Sequence, residues 1–362
     1  MERWRGFDTN RMRMDGECSA KKSTFRLSLA SLIHNSFSCG LSETALPGRG
    51  KSKRHIHMSS PPRIAAVFAT MNRSLTATSC VRALAAQTRP PDLVVVADNA
   101  SADDTVSELE SLTDLSFELV VQRMAENRGN AGGVKEAMEL AFAKDADAVW
   151  ILDDDSWPRP GALEALMAVP WNPDVVRHAL QVDPETGRFT WPMWTRFANR
   201  WQLAWNVDEL PAGNHVPSRT SWTGALISRK IREAAGPVKA DLFIRGEDEE
   251  YPWRILQAGF RFEAVREAVM DHPGAPNVVH WHLVGKHFFY EPGLADWKLY
   301  YKVRNMVWLK RRQSGGMCAI GMVMTYAAAA AWIDGPERLR LIWEAVKDGW
   351  RGRLGKWKRQ RG

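Results

Sequence analysis

Three consecutive aspartates follow a strand-length run of apolar residues, 148–152, and are well suited to hold a metal ion. Carboxylates a few ångströms apart raise each other's pKa, so a cation is expected to stabilise such a triplet. Alternate residues of an extended segment face the same side, so Asp153 and Asp155 are expected to face one ion while Asp154 points elsewhere. Oxygen ligands of this kind suit Mg²⁺ or Mn²⁺, with substrate phosphates completing the shell. A solvated acidic turn, or Asp155 capping a helix near Pro160, is the alternative interpretation.

Four apolar runs of strand length alternate with helix-like segments upstream of these aspartates. The predicted strands cover residues 64–69, 93–97, 118–122 and 148–152, and the predicted helices cover residues 75–87 and 132–144. Such alternation with short connections is typical of a parallel sheet covered by helices. The sequence therefore predicts an α/β fold with a mixed, mostly parallel sheet flanked by helices.

Polar residues follow three of the predicted strands. In open α/β sheets, ligands bind at the carboxyl ends of the strands. We therefore expect one ligand to contact all three sets of polar residues. The sets are Thr70, Asn72 and Arg73 after the first strand, Asp98 and Asn99 after the second, and the aspartate triplet after the fourth.

A glycine-rich segment, residues 127–133, lies after the third predicted strand. It does not spell GxGxxG and does not follow the first strand, so a Rossmann dehydrogenase is disfavoured. Residues 70–73, which do follow the first strand, contain no glycine that would let a pyrophosphate approach. Asn127 and Gly129 therefore belong either to a nucleotide-contacting loop or to an ordinary loop and helix cap.

Residues 170–222 are rich in Trp, Pro and Arg and lack clear periodicity, which favours an acceptor-binding insertion over a second fold. Beyond this segment, the pattern predicts a strand at residues 221–228 and a short helix at residues 230–235. A further helix is predicted at residues 251–259, where a glycine ends it.

The positive charge of the chain lies at its two ends. Residues 1–58 carry 11 Lys/Arg and 5 Asp/Glu, residues 347–362 carry 7 and 1, and the body between them carries 31 and 36. An acidic body argues against a nucleic-acid partner, so anionic membrane lipid is the better candidate for the basic ends. No run reaches the roughly 20 apolar residues that span a bilayer, and residues 317–333 favour a packed or interfacial helix over membrane insertion.

Residues 1–58 show no sustained periodicity, and we expect them to be disordered. Because Met58 stands just before the first strand, a misassigned start codon is an alternative expectation. The predicted division is this extension, a catalytic domain of residues 59–312 and a basic, Trp-rich helical tail of residues 313–362. Four cysteines without disulfide or zinc spacing suit a reducing compartment.

Several motifs, in this order, resemble family 2 glycosyltransferases, which have the GT-A fold and use nucleotide-sugar donors. They are residues 70–73, Gln87-Thr88, residues 98–101, Asn127-x-Gly129 and the aspartate triplet. Downstream motifs are similar to the branch that contains bacterial galactofuranosyl- and rhamnosyltransferases. These are residues 242–251, His272-Pro273-Gly274 and Tyr300-Tyr301-x-x-Arg304-Asn305. The resemblance covers about residues 63–312 and departs from some galactofuranosyl enzymes at Gly246, where those have tryptophan.

The resemblance implies roles for individual positions. Asp98 would hydrogen-bond the pyrimidine base of the donor. Asp153 and Asp155 would bind the metal, Mn²⁺ or Mg²⁺, with His272 as a further ligand. Asp248 would be the general base, and Glu247 would orient the acceptor. Further donor-binding residues would be Thr70, Asn72, Arg73, Asn127, Gly129, Asp153 and Asp154.

The residue types themselves suit this chemistry. Displacing a nucleoside diphosphate needs a cation at the leaving phosphate and a carboxylate near the acceptor hydroxyl, and a single in-line displacement would invert the anomeric centre. Residues 247–250 could instead be an acidic first helical turn favoured by the helix dipole, and His272 could be structural. His280, His282 and His287 lack HExxH-type spacing, so a zinc site is disfavoured.

We therefore expect an inverting glycosyltransferase that transfers galactofuranose or rhamnose from a UDP- or dTDP-linked donor. The acceptor would be a cell-surface glycan or a lipid-linked molecule, met at the cytoplasmic face of the membrane through peripheral contact. A sugar-nucleotide pyrophosphorylase is one alternative, but it would need a glycine- and lysine-bearing loop that residues 70–75 do not provide. A non-enzymatic glycan-binding module is the other, and it would not need metal ligands and a base together.

Overall fold

The computed structural model describes residues 61–168, 171–219, 221–274, 278–283 and 286–360. The predictions made for residues 1–58 lie outside the described residues. From Ile64 onward, strands and helices alternate as the apolar runs indicate.

The first part of the chain forms the parallel half of the sheet. Its elements are β1 (Ile64–Thr70), α1 (Ser74–Ala85), β2 (Leu93–Asp98), α2 (Thr105–Glu110), β3 (Glu118–Arg123), α3 (Gly129–Ala143) and β4 (Ala148–Ile151). The strands lie in the order β3-β2-β1-β4, all paired in parallel. α1 packs on one face of β1 and β2 and α3 packs on the other. Burial on both faces explains why these two strands are continuous apolar runs rather than alternating ones.

The second part extends this sheet. Its elements are β5 (Trp157–Pro158), α4 (Ala162–Met167), β6 (Val175–Val182), β7 (Met193–Phe197), β8 (Arg200–Ala204), β9 (His215–Ser218), β10 (Ala225–Ser228), α5 (Arg229–Ala235), α6 (Glu247–Gln257) and β11 (Arg261–Asp271). The sheet continues from β4 in the order β10-β6-β11-β9-β7-β8, and β5 pairs with β11.

The segment 170–222 therefore supplies strands β6 to β9 of the main sheet, and the expectation of an insertion there is wrong. Its expected role in acceptor binding stays a prediction. Two buried polar residues interrupt the apolar pattern of β6, so the sequence pattern does not indicate a buried strand there. Arg177 donates to the carbonyl oxygens of Leu166 (3.0 Å) and Ala168 (2.7 Å), and the His178 Nε2 atom lies 2.7 Å from Ser218 Oγ. These partners come from elsewhere in the fold, so the sequence alone does not show that the two residues can be buried.

The direction of the strands decides what meets at one edge. β10 is antiparallel to both β4 and β6, so β6 runs in the same direction as β4. β11 pairs in parallel with β6. The carboxyl ends of β1, β2, β4, β6 and β11 therefore lie at the same edge of the sheet.

The chain continues with a hairpin, β12 (Val279–Leu283) and β13 (Lys286–Tyr290), and two helices, α7 (Asp296–Ile333) and α8 (Arg338–Arg351). A straight helix as long as α7 would extend about 57 Å. Arg338, just beyond the end of α7, nevertheless lies 2.5 Å from Asp296 at its start. The chain reverses at Gly315, whose φ of 84° and ψ of 170° are not helical.

By length and composition, α7 is the one helix of the described residues that could cross a membrane. The break at Gly315 divides it into two segments that pack with α8 around a shared core. The first segment buries Tyr301 and Val307, and the second buries Tyr326 and Ala330. The predicted domain boundary after residue 312 lies close to this break, and it stays a prediction.

Candidate active site

The predicted site residues that follow β1, β2 and β4 lie close together at the ends of these parallel strands. Thr70 at the end of β1 is in register with Asp98 at the end of β2. β4 pairs with the other side of β1, and the backbone N–H of Leu152 donates to the Val67 carbonyl oxygen at 2.9 Å. The aspartate triplet leaves the sheet directly after Leu152, beside Thr70.

Within the triplet, the side chain of Asp154 points toward the protein interior. It is 5% exposed and accepts hydrogen bonds from Thr70 Oγ1 (2.8 Å) and Arg73 Nη1 (2.6 Å). Burial raises the pKa of Asp154 to about 6, and the charge of Arg73 limits this rise. Arg73 also donates to Asp155 at 3.1 Å, so one guanidinium links two of the three carboxylates. α4 follows Gly161 without a side-chain cap, so Asp155 does not cap that helix.

Asp153, Asp155 and His272 form a group that could hold a metal ion. Their ligand atoms all lie within 4.8 Å of one another. His272 Nδ1 lies 3.0 Å from the carbonyl oxygen of Pro273, and Nε2 lies 3.5 Å from Asp155 Oδ1. A proton on Nδ1 satisfies the carbonyl, and Nε2 is then the nitrogen that could bind a metal ion. The Thr223 hydroxyl orients Asp153 by donating to Oδ2 at 2.6 Å.

His272 is carried into this group by β11. It follows Asp271, the last residue of that strand, and its backbone N–H donates to Val182 at the end of β6 (3.0 Å). Burial lowers the pKa of His272, but Asp153 and Asp155 outweigh burial and leave the pKa raised. Two carboxylates and one imidazole nitrogen are a suitable ligand set for Mn²⁺ or Mg²⁺, and hence the residues present fit a divalent cation.

Asp98 offers an acceptor for a ligand. Its side chain is fully buried, and Oδ2 accepts from the backbone N–H of Ser101 at 3.0 Å. Oδ1 has no hydrogen-bond partner among the described residues. A buried acceptor left unpaired costs about 1–3 kcal/mol, so a bound N–H donor would be stabilised there.

Asn72 joins the loops that follow β1 and β2. Its backbone N–H donates to Ser101 Oγ, and its side-chain oxygen accepts from the N–H of Ala102, both at 2.8 Å. The residue has a φ of 53°, a conformation that asparagine tolerates better than most residues. The two loops are thereby fixed around Asp98.

Gly129 packs the glycine-rich loop against the loop before α6. Its φ is 70°, and a Cβ atom there would lie 2.1 Å from the carbonyl oxygen of Phe243. The backbone N–H groups of Gly129 and Ala131 are bonded to Asn127 Oδ1 (2.8 Å) and to the Phe243 carbonyl (3.0 Å). Asn127 and Gly129 therefore connect the start of α3 to the loop before α6.

Four acidic residues, 247–250, begin α6, and we call them the acidic cluster. The first two carboxyl groups differ in environment. Glu247 is 3% exposed; Oε1 accepts from Asn130 Nδ2 at 3.0 Å, and Oε2 has no partner among the described residues. Burial, then the charge of Asp248, raises the pKa of Glu247 to about 8. Asp248 reaches solvent and accepts from the backbone N–H of Gly246 at 2.9 Å.

The surrounding protein and Glu249 also raise the pKa of Asp248. The charge of Asp153 also contributes, as the smallest of the causes, to raising the pKa values of both Glu247 and Asp248. Because Glu247 is far more buried, it is the member of the pair that retains its proton, and Asp248 is the one that ionises first.

The loop that leads into α6 has an unusual backbone. Phe243 (φ 67°), Arg245 (φ 62°) and Gly246 (φ 116°) all lie in the left-handed region, which is costly for the two residues that are not glycine. A Cβ atom on Gly246 would lie 3.0 Å from Asn305 Cβ, so a tryptophan at this position would require a different loop.

Asn305 and Arg304, two buried residues of α7, hold this loop in place. Asn305 Nδ2 donates to the carbonyl oxygens of Leu242 (2.9 Å), Ile244 (3.0 Å) and Arg245. Arg304 also donates to the Leu242 carbonyl at 2.9 Å. The sequence motif around these residues had no assigned role, and the structure shows that they clamp the loop before the acidic cluster.

The fold and the site together define a class of protein. A mixed sheet, parallel from β3 to β4, carries acidic residues at its strand ends, a second acidic pair lies at a helix start, and helices follow at the C-terminus. This is the architecture of glycosyltransferases with the GT-A fold.

Comparison with known proteins places the chain within that class. Residues 66–235 match the family model "Glycosyl transferase family 2". Galactofuranosyltransferase GlfT1 of Mycobacterium tuberculosis is 31% identical over 217 residues, which cover 58% of this chain and 69% of that protein. The chain belongs to glycosyl transferase family 2 and is a glycosyltransferase, which sets aside the pyrophosphorylase and the glycan-binding module.

A solved structure shows the same fold. The structure of S. aureus TarS 1-349 in complex with UDP-GlcNAc has a TM-score of 0.50 at 13% identity and covers 79% of this chain and 80% of its own. GalNAc-T7 with UDP, GalNAc and Mn²⁺ has a TM-score of 0.47 at 16% identity. The match covers 69% of this chain and 48% of GalNAc-T7, so this chain spans about half of that protein.

Proposed function

We propose that this enzyme transfers galactofuranose from a UDP-linked donor, with inversion, to a cell-surface glycan or lipid-linked acceptor. The observation that carries the proposal is the candidate metal group, Asp153, Asp155 and His272, with the Glu247 and Asp248 pair close by. The 31% identity to a galactofuranosyltransferase favours that sugar over rhamnose from a dTDP-linked donor.

The donor base would bind beside Asp98. Uracil and thymine both carry an imide N–H that could donate to the unpaired Oδ1 atom. Asp98 therefore selects a pyrimidine of this type without discriminating between the two bases. Asn72 would keep the surrounding loops in place for the base and ribose.

The donor diphosphate would bind at the metal group. Asp153, Asp155 and His272 would hold Mn²⁺ or Mg²⁺, which when bound supplies positive charge to the leaving diphosphate. Arg73, fixed by Asp154 and Asp155, adds a permanent cation at the same edge. Thr70 keeps Asp154 turned away from the metal ligands by hydrogen-bonding it.

The acceptor hydroxyl would meet the acidic pair. Its oxygen forms a bond to the anomeric carbon while the bond from that carbon to the diphosphate oxygen breaks, and the hydroxyl proton passes to Asp248. Asp248 suits this role because it is the exposed and more readily ionised member of the pair. Glu247, protonated at neutral pH, can donate from Oε2 and orient the acceptor.

Calorimetric titration of UDP and dTDP, with and without Mn²⁺, tests the donor site. We expect UDP to bind in a Mn²⁺-dependent way to the wild type and to Asp174→Ala, whose carboxylate precedes β6 at the opposite edge of the sheet. Asp155→Ala should lose this binding. Tighter binding of dTDP would transfer the proposal to rhamnose, and absence of binding to either nucleotide by folded protein would contradict it.

We also propose that the enzyme acts in the cytoplasm, in peripheral contact with the inner face of the cell membrane. A lipid-linked acceptor would be presented there, and the basic C-terminal residues would favour an anionic surface. Fractionation of cells into soluble, salt-extractable and detergent-extractable protein tests this location. Recovery in the salt-extractable fraction is expected, whereas recovery in the soluble fraction alone would contradict it.

A further inference from the structure

The second segment of α7 and the helix α8 present large apolar side chains to solvent. On α7 they recur at spacings of three and four residues, and thus lie along one side of the helix. Six of these exposed side chains, which we call the apolar face, are Met317 (70% exposed), Ile320 (49%), Met324 (64%), Leu339 (40%), Trp343 (63%) and Trp350 (39%).

These side chains are not needed to pack the helices together. The core between the helices is formed by other positions, among them Tyr326, Ala330, Ile342 and Ala345. The two exposed stripes meet at the break in α7, where a Cβ atom on Gly316 would lie 3.2 Å from the Trp350 ring. The apolar face is therefore continuous across two helices, and a patch of this kind marks an interaction site.

Positive charge borders the apolar face. Arg311, Arg312 and Arg351 line an open cavity of about 450 Å³ together with Trp350 and Gly352. The Arg311 guanidinium lies 4.3 Å from the centre of the Trp350 ring. Within the described part of the chain, none of these three arginines forms an ion pair with an acidic side chain. Their charges are available to an anion, and guanidinium groups bind phosphate oxygens in a bidentate manner.

We propose that the apolar face and the arginine cavity dock the enzyme on a bilayer that contains anionic phospholipid. Trp343, Trp350 and the methionines enter the boundary between headgroups and acyl chains, where tryptophan is favoured. The arginines bind lipid phosphates beside them. Charge complementarity selects this occupant, because residues 347–362 carry 7 basic and 1 acidic residue. This specifies the surface for the membrane contact proposed above and does not depend on the donor.

The helices lie on the bilayer in this arrangement and do not cross it. The reversal at Gly315 returns the chain to the start of α7, and the side of the second segment that carries Tyr326 and Ala330 is buried by protein. An interfacial helix needs one apolar face, whereas a spanning helix needs an apolar circumference.

Sedimentation of the full-length protein with vesicles tests the surface. We expect wild-type protein to bind vesicles of phosphatidylcholine with phosphatidylglycerol more tightly than vesicles of phosphatidylcholine alone. The variant Met317→Glu/Met324→Glu/Trp343→Glu should bind both more weakly by over about tenfold, because charged side chains would have to enter the boundary. The matched control is Leu75→Glu, which changes a 71% exposed leucine on α1 and should bind as the wild type does.

A second variant, Arg311→Gln/Arg312→Gln/Arg351→Gln, tests the cavity. It should lose the preference for phosphatidylglycerol while retaining weak binding through the apolar face. Titration of UDP with Mn²⁺ into each variant reports on the donor site separately, so failure of the membrane surface and failure of the proposed function are distinguishable. Vesicle binding that survives the triple glutamate change, or resists extraction by alkaline carbonate, would overturn the proposal.

Discussion

The two sides of the proposed active site, one for the donor and one for the acceptor, are held in place by different means. On the donor side, Thr70 and Asp98 lie at the ends of paired strands, and the register of the sheet sets their positions. On the acceptor side, Glu247 and Asp248 follow a loop of left-handed residues that side chains of α7 clamp. One side depends on backbone hydrogen bonds, and the other depends on side chains from a helix far along the chain.

This difference has a consequence for mutations. A change in the clamp can move the acidic pair without disturbing the strand ends, so catalysis and donor binding should be separable. A change in the metal group should affect both. Measuring turnover and donor binding in the same variants shows how independent the two sides are.

The largest effect is expected for Asp155→Ala, which removes a proposed metal ligand. Loss of several kcal/mol of charge stabilisation at the leaving diphosphate should lower turnover by about 10⁴-fold. Mn²⁺-dependent UDP binding should be lost together with turnover, because one group serves both. The measurement is steady-state sugar transfer beside calorimetry. An inactive variant that still binds UDP with Mn²⁺ would contradict the prediction that one metal group serves both donor binding and turnover.

Asp248→Asn should lower turnover by about 10³-fold, the range in which a proton-accepting carboxylate contributes. UDP binding should stay at the wild-type value, because Asp248 lies on the acceptor side. The matched control is Glu249→Gln, one residue further, whose carboxylate pairs with Lys310. Equal losses in both variants would assign the effect to the acidic helix start in general and contradict the role of Asp248.

Asn305→Ala should lower turnover by about 10- to 100-fold, as loss of a supporting shell around a catalytic group typically does. Asn305 acts through the loop as a positioning residue, so kcat should fall while KM for the donor and UDP affinity change little. Asp334→Ala is the control. It removes the hydrogen bonds that Tyr290 and Gly293 donate to Asp334, the residue after the end of α7. The loop before α6 makes no hydrogen bond to Asp334 among the described residues. Equal loss of kcat in both variants would indicate a general effect of destabilisation.

The effect of Glu247→Gln is expected in the dependence of stability on pH. The pKa of Glu247 is about 8 in the folded protein, against an ordinary value of 4.5. Between pH 4.5 and about 8, the folded state therefore holds a proton that the unfolded state has lost. Stability should therefore fall as pH rises from about 4.5 to about 8. Gln cannot ionise, so the variant should show a shallower fall in Tm over that window and agree with the wild type below it. Parallel Tm curves across the window would contradict the protonated state of Glu247.

Much of the parallel half of the sheet was predictable from short-range pattern. Strands β1, β2 and β4 are buried on both faces, so each reads as a continuous apolar run. The expectation that residues 170–222 form an insertion is wrong because β6 buries Arg177 and His178, which makes this strand look unlike a buried one. Polar residues are compatible with a buried strand when other segments supply hydrogen-bond partners, and a local pattern does not contain that information.

Residue types and short-range pattern were sufficient to identify the groups that can do chemistry and the strand ends at which they stand. Acidic residues directly after an apolar run must leave the sheet at its carboxyl edge, because strand direction and side-chain alternation are local properties. The distant groups that join them depend on how the chain folds in three dimensions. His272 reaches the aspartates because β11 runs parallel to β6, and Asn305 reaches the loop before α6 because α7 packs against it. Both depend on the packing of segments far apart in the chain, which residue spacing does not encode.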